Sequence, residues 1–325
     1  MLRTHKLSLP AAISNLTFLA LAAAPLLCGG DAPPLPAPAF RASAELVLVP
    51  VTVTDRNGKT IMGLRARNFT VLDDRTPQPI VSFTSEDAPC SVGLVLDVSG
   101  SMRDAIVTAR TVAHAFFQAA NPEDEFLMLT VSTQPDVLPG FTTGTEALEQ
   151  SIQSARPNGM TALFDTVYLA LNRMRRATRP RHALLIVSDG MDNYSRYTKG
   201  ELMRTALEAN VQVYTVLVDG LTGGGPAQIL FRPSMIAKPV DRAGQRQGPQ
   251  ALKELSMNTG GLYFHVRTSA QAKDAAIKAG HAIRNEYVIG YQPPATGTLG
   301  RWHSIRVKSN VPKTSVNGRS GYYSQ

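Results

Sequence analysis

The sequence predicts an α/β fold: a doubly wound, mostly parallel sheet with helices on both faces, flanked by β segments that complete one another as a small β-sandwich. Three observations carry that expectation. Near-continuous apolar runs at Val92 to Leu96, Phe126 to Val131, Ala183 to Val187 and Val211 to Val218 read as strands covered on both faces. Helical periodicities separate these runs, so strand and helix alternate in the order that builds parallel sheets. The chain on either side of this stretch is β-type, and neither side alone has enough strands to bury its apolar face.

Taken in order, residues 1–30 have the charged, apolar, small-residue sequence of a secretory signal: Arg3, His5 and Lys6 precede an apolar run from Leu16 to Cys28, followed by Gly29 and Gly30. That run is shorter than the roughly twenty residues a membrane helix needs. Export is therefore expected, to the periplasm, the cell envelope or the medium, and no later segment reads as transmembrane. Lipidation at Cys28 is disfavoured by Leu27, which stands where a lipoprotein signal carries a small residue. Residues 31–43 are Ala- and Pro-rich and read as a linker. Residues 44–86 form the first β segment. In "AELVLVPVTVTDRNGKTIMGL" the pair Asn57-Gly58 stands where a tight hairpin turn needs positive φ, and "NFTVLDDRTPQPIVSFT" reads as strand, turn around Asp73 and Asp74, strand.

The α/β section spans residues 88–284. Ile106, Ala109, Ala113, Phe116 and Ala120 recur at helical spacing, and Asn121-Pro122 closes that helix. Residues 162–176 and 199–209 repeat the pattern. Residues 219–250, with "DGLTGGGPAQ" and "DRAGQRQGPQ", break it and read as a surface excursion before a helix over 250–259. A helix over 270–284 then leads directly to Glu286 and the last β segment, 285–325, whose "EYVIGYQPP", "WHSIRVKS" and "GRSGYYSQ" are expected to pack with residues 44–86.

Composition narrows the function. A hydrophobic fraction of 43% suits a packed core. The net charge of +8 would favour an anionic polymer if it were concentrated. The densest cluster, however, is Arg173, Arg175, Arg176, Arg179 and Arg181, at a helix end and across the Pro180 turn. Cations there complement the helix C-terminus, so no nucleic-acid partner is expected. Cys28 and Cys90 are the two cysteines; removal of the signal leaves one, without an intramolecular disulfide, and Cys90 reads as a small buried hydrophobe.

The chemistry gathers in "LVLDVSGSMRDA". Asp97, Ser99 and Ser101 follow a buried strand, at the carboxyl end where open parallel sheets bind ligands. In an extended segment side chains two apart point the same way, and Gly100 allows a sharp turn between the serines. "PNGMTALFDT" brings Thr161 to the start of a helix, and "ALLIVSDGMDN" brings Asp189 just beyond another buried strand. Hydroxyl and carboxylate oxygens of this kind suit Mg²⁺ or another hard divalent ion such as Mn²⁺ or Ca²⁺. Each piece also has a plain structural role open to it: Ser and Thr cap helices, and Asp-Gly makes turns. Asp165 and Asp192 are placed either to hydrogen-bond a ligand or to sit as ordinary helix and loop surface.

The set D-x-S-x-S, a loop Thr and a later strand-end Asp closely resembles the metal ion-dependent adhesion site of von Willebrand factor type A domains, over roughly residues 88 to 284. The flanks, with "VTVTDRNGK", "NFTVLDD" and a terminal "GYY", resemble secreted bacterial proteins grouped as acidobacterial VWFA-related. The resemblance implies a metal held by Asp97, Ser99, Ser101, Thr161 and Asp189, some directly and some through water, with one position left for an Asp or Glu of a protein partner. It implies a secreted adhesion module rather than an enzyme. Two other functions stand beside it: an envelope assembly subunit in which the metal is stabilising, and a metal-assisted hydrolase. The residues give catalysis little support, since Asp97 occupies the first Gly position of a G-x-S-x-G elbow, no His falls in H-E-x-x-H spacing, and no P-loop Lys is present. In the resembling family, ligand binding shifts helices, and the direct connection from the 270–284 helix to Glu286 would pass such a shift to the β segment.

Overall fold

The computed structural model describes residues 46–85, 87–219, 242–294 and 299–324, with the backbone alone for 242–247. The expected signal and linker, Cys28 and most of the 219–250 excursion lie outside the described residues. The first β segment supplies β1 (Val47–Thr54), β2 (Phe69–Asp73), β3 (Thr76–Gln78) and β4 (Ile80–Thr84). The alternating section supplies β5 (Cys90–Asp97), α1 (Ile106–Gln118), β6 (Glu125–Val131), β7 (Asp136–Val137), α2 (Glu146–Ser154) and α3 (Leu163–Met174). It continues with β8 (Arg181–Ser188), α4 (Lys199–Ala209), β9 (Gln212–Val218), α5 (Arg242–Thr259), β10 (Tyr263–Val266) and α6 (Ser269–Arg284). The last segment supplies β11 (Tyr287–Tyr291), β12 (Trp302–Ser309), β13 (Ser315–Gly318) and β14 (Gly321–Tyr323).

The central sheet has the order β10-β9-β8-β5-β6-β7, and every neighbouring pair is parallel except β6 with β7. Every residue of β5 is buried, and its side chains alternate between two cores. Val92, Leu94 and Leu96 pack with Val112 and Phe116 of α1 and Ala276 of α6. Val95 faces the other way, among residues that include Leu163 and Val167 of α3 and Leu202 of α4. A strand covered on both faces must be apolar throughout, which explains the unbroken runs in the sequence. The chain passes from β5 to β6 on one side and then crosses to β8 on the other. The carboxyl end of β5 is therefore where the strand order reverses, with α1 and α3 on opposite faces, and such a switch point opens a crevice.

Several elements depart from expectation. In α2 only Leu148 and Ile152 are buried, an apolar stripe too thin to register as periodicity. Helix α5 begins at Arg242, ahead of the expected start at residue 250, and runs through Pro249. Gly58 has the expected positive φ of 76°, yet only a single bridge, Thr54 to Thr60, follows it. The Asp55 carboxylate organises that loop by accepting the N–H groups of Asn57 and Lys59. The regular hairpin joins β2 to β3, and its turn residues are Asp74 (φ 45°) and Arg75 (φ 71°), the left-handed pair of a tight two-residue turn.

Two four-stranded antiparallel sheets, β13-β1-β11-β4 and β14-β12-β2-β3, combine strands from both ends of the chain. They share one apolar cluster, in which Val49 and Val51 meet Phe69, Val71, Tyr287 and Ile289. Strands β4 and β11 pair directly, so the chain leaves for the α/β section and returns from it at adjacent strands. At that junction Arg181, at the start of β8, forms a buried ion pair with Glu286 at 3.3 Å and donates to the Arg284 carbonyl at the end of α6. No described helix is long and apolar enough to cross a membrane.

Candidate metal centre

Asp97 is the last residue of β5 and is fully buried. One of its oxygens, Oδ1, accepts the Ser99 N–H at 2.9 Å. The other, Oδ2, accepts the Ser188 hydroxyl at 2.5 Å, from the end of neighbouring strand β8. The carboxylate is thus held by donors of the chain itself. The expected two-residue alternation holds as far as Ser99, whose backbone is extended; after it, Gly100–Arg103 turn as a short 3₁₀ helix. That turn still brings the Ser101 hydroxyl to 3.0 Å from the Ser99 hydroxyl, so the two serines converge, with Ser99 buried and Ser101 exposed.

Gly100 opens the turn between the serines and also meets a neighbouring loop. Its N–H donates to the Gly159 carbonyl at 3.0 Å, and a Cβ at position 100 would stand 3.1 Å from that oxygen. Close approach of two loops leaves a side chain there a tight fit against backbone. A second bond, Asn158 N–H to the Val98 carbonyl at 2.9 Å, laces the loop that carries Thr161 against the end of β5.

Thr161 is buried just before α3. Its N–H donates to Asn193 Oδ1 at 2.9 Å, and its carbonyl accepts the N–H groups of Asn193 and Tyr194. The helix N-cap is Ala162, which supplies no side-chain cap. Capping falls to the loop after β8: Asp192 Oδ1 accepts the Leu163 N–H at 3.1 Å, and Ser195 Oγ accepts that of Asp165 at 3.2 Å. Asp165 in turn accepts the N–H groups of Arg196 and Tyr197. Asp165 and Asp192 therefore tie this loop to the start of α3, and the Thr161 hydroxyl is spared capping duty.

Asp189 follows β8 immediately and is half-buried, with Oδ1 accepting the Met191 N–H at 2.9 Å. Gly190 has φ 77°, and a Cβ there would lie 2.9 Å from Leu217 Cδ1 and Pro249 Cγ; both the conformation and the space demand glycine. Its N–H donates to Ser188 Oγ at 2.9 Å. Ser188 therefore links Asp97 to the Asp189 turn. Ser188, Asn193 and Ser195 are the site residues that sequence reasoning missed; their one signal is position, beside Asp189 and in the loop that follows it.

Electrostatics point the same way. Burial, and then the Asp189 carboxylate, push Asp97 up to about 7, against the lowering effect of the Ser188 and Ser99 hydrogen bonds. Burial also raises Asp189, opposed by the bonds from Met191 and Ser101. No Lys, Arg or His among the described residues forms an ion pair with either carboxylate. Two neighbouring carboxylates, one buried and one half-buried, with the Ser99, Ser101 and Ser188 hydroxyls beside them and no paired cation among the described residues, form a donor set that fits a hard divalent ion.

A family model described as von Willebrand factor type A domain matches residues 92–191, a span that contains Asp97, Ser99, Ser101, Thr161 and Asp189. Several solved structures are similar to this chain. The conserved hypothetical protein BatB from Bacteroides thetaiotaomicron is 19% identical, covering 58% of this chain and 96% of that one, with a TM-score of 0.45. A von Willebrand factor type A protein from Catenulispora acidiphila is 12% identical, covering 88% of this chain and 75% of that one, with a TM-score of 0.46. The vWF domain of the type V pili tip protein Mfa5 from Porphyromonas gingivalis is 13% identical, covering 61% and 97%, with a TM-score of 0.43. No curated protein matches. Within the α/β section of this chain, residues 92–191 match the model of the von Willebrand factor type A domain.

Proposed function

We propose that this protein is an exported, metal-dependent protein-binding module, with a divalent ion, Mg²⁺ in the first instance, held by Asp97, Ser99, Ser101, Thr161 and Asp189. The observation that carries the proposal is the Asp97–Asp189 pair: two carboxylates at the ends of adjacent parallel strands, both raised by burial and Asp97 also by the Asp189 charge, with no ion pair to a cation of the described residues. The chemistry a hard ion supplies there is positive charge with room for one more oxygen, from an Asp or Glu of a partner protein.

The chain's own residues prepare that exchange. Ser99 N–H and Ser188 hold Asp97 in one orientation, so little order is lost on binding. Ser101 lies at the exposed edge, and Met160 and Tyr194, 37% and 52% exposed beside Thr161, offer apolar contact to whatever docks. Neutral hydroxyls outnumber carboxylates in this donor set, which leaves the ion electrophilic toward an external carboxylate. The N-terminal sequence supports export.

Envelope extract passed over the immobilised protein in Mg²⁺ and in EDTA tests the reading. Partners should elute with EDTA, and a block of surface carboxylates on the extract should abolish their capture. Equal capture in both buffers would count against a metal-bridged contact.

A further inference from the structure

A second group of ligating side chains lies on the sheet β14-β12-β2-β3, in none of the segments that build the Asp97 site. Asp73 ends β2, Asp74 opens the hairpin turn, and His303 is on β12, between β2 and β14. Asp73 and His303 are each 1% exposed, whereas the Asp74 side chain reaches the surface. His303 Nδ1 is 3.4 Å from Asp73 Oδ1 and 3.2 Å from Asp74 Oδ2, and one donor atom from each residue lies within 4.8 Å of the other two. Ligands at about 2.0–2.2 Å from one ion stand roughly 2.9–3.6 Å apart along the edges of an octahedron or tetrahedron, which matches both measured contacts.

The hydrogen bonding is divided in a way that favours an ion. Asp73 Oδ2 accepts the Tyr291 and Tyr322 hydroxyls at 2.8 and 3.0 Å. Its other oxygen, Oδ1, is sealed from solvent and accepts no hydrogen bond from the described residues. Asp74 Oδ1 accepts the Ser304 N–H and hydroxyl at 2.9 and 3.1 Å, and its Oδ2 faces His303 Nδ1 and, at 3.6 Å, the exposed Arg301 guanidinium. Each carboxylate thus has one oxygen tethered and the other turned to the imidazole, as metal-ligating carboxylates are oriented by their outer partners. A buried acceptor without a donor is costly, and its presence needs a reason. The His303 ring is itself held by stacking on Tyr322, with centroids 5.1 Å apart.

We propose that Asp73, Asp74 and His303 form a second metal site, selective for Zn²⁺ or a similar transition ion. Imidazole nitrogen with two carboxylates suits such ions, whereas the all-oxygen Asp97 set suits Mg²⁺. An ion there clasps the β2–β3 turn to β12 across the whole inserted α/β section, so it stabilises the closure of the β flank.

The test uses the full chain carrying Asp97→Asn, which removes the other site, stripped with chelator, loaded with Zn²⁺ in excess Mg²⁺, gel-filtered and assayed for bound zinc and melting temperature. The expected result is one zinc per chain and a zinc-dependent rise in melting temperature. Adding Asp74→Asn should weaken zinc binding at least tenfold and remove the rise. Asn tolerates the left-handed backbone at φ 45°, so the turn survives; a Ser304→Ala variant, which loses one tether only, gives a smaller loss in a chain with both carboxylates. No retained zinc, or equal binding with and without Asp74→Asn, would overturn the site.

Discussion

The Ser188 hydroxyl donates to Asp97 Oδ2 at 2.5 Å and accepts the Gly190 N–H at 2.9 Å, so one side chain joins the ends of β5 and β8. Through it, the carboxylate from one strand and the turn that carries the second carboxylate are held as a unit. Replacing Ser188 with Ala leaves a buried carboxylate oxygen without its donor. The expected loss is about 1–3 kcal/mol in urea unfolding, together with a 10- to 100-fold weaker Mg²⁺ affinity by calorimetry.

Acidity should act in opposite directions with and without the ion. An unfolded Asp ionises near pH 3.9, whereas folded Asp97 keeps its proton up to about 7. Between those values the folded state binds more protons, so in EDTA the Asp97 contribution to stability falls as pH rises from about 4 to about 7. Metal binding needs the ionised form, so Mg²⁺ affinity should climb up to about tenfold per pH unit over the same approach to neutrality, then level off. Melting curves at pH 5 and pH 8, in EDTA and in excess Mg²⁺, separate the two trends. An Mg²⁺ stabilisation equal at both pH values would contradict them.

Gly190 combines φ 77° with 2.9 Å approaches to Leu217 and Pro249. Gly190→Ala adds left-handed strain of about 1–2 kcal/mol to an overlap with α5. The expected outcome is a destabilised protein whose loss of Mg²⁺ affinity exceeds that of a surface Gly→Ala control such as Gly140→Ala, where φ is 75° but nothing lies within 4 Å. Chemical denaturation and calorimetry on both variants make the comparison.

Arg181 and Glu286 are both buried and form an ion pair at 3.3 Å, where the central sheet meets the β flank. Arg181→Ala leaves a buried carboxylate unpaired, at a cost of about 3–5 kcal/mol. Replacing both residues together, Arg181→Met with Glu286→Leu, should recover most of that loss. Urea unfolding of the three proteins measures the difference, and a double variant as unstable as Arg181→Ala would show that the pair has another partner to serve.

What the sequence made legible follows physical rules that act locally. The runs ending at Asp97 and Ser188 are apolar at every position because both sheet faces are covered, so their strand character and parallel order were readable. Asp97, Ser99, Ser101, Thr161 and Asp189 stand out as candidates because strand ends and glycine turns leave marks in one dimension. The bonds that position them left none: Ser188 to Asp97, Asn193 to Thr161 and Asp192 to Leu163 join segments that only folding brings together. Helix α2 was invisible because two buried residues make no period. The pairing of His303 with Asp73 and Asp74 was likewise hidden, since it depends on β12 lying beside β2 after the chain has completed the α/β section.

The most direct test of the Asp97-centred ion site is calorimetric Mg²⁺ titration of the wild-type chain and of Asp97→Asn. Asn matches the protonated shape that buried Asp97 favours, so the variant should melt at or above the wild-type temperature in EDTA. Single-site Mg²⁺ binding by the wild type, abolished in this well-folded variant, is the expected result. Equal Mg²⁺ binding by both proteins, or no binding by the wild type at pH 8, would contradict an ion held between Asp97 and Asp189.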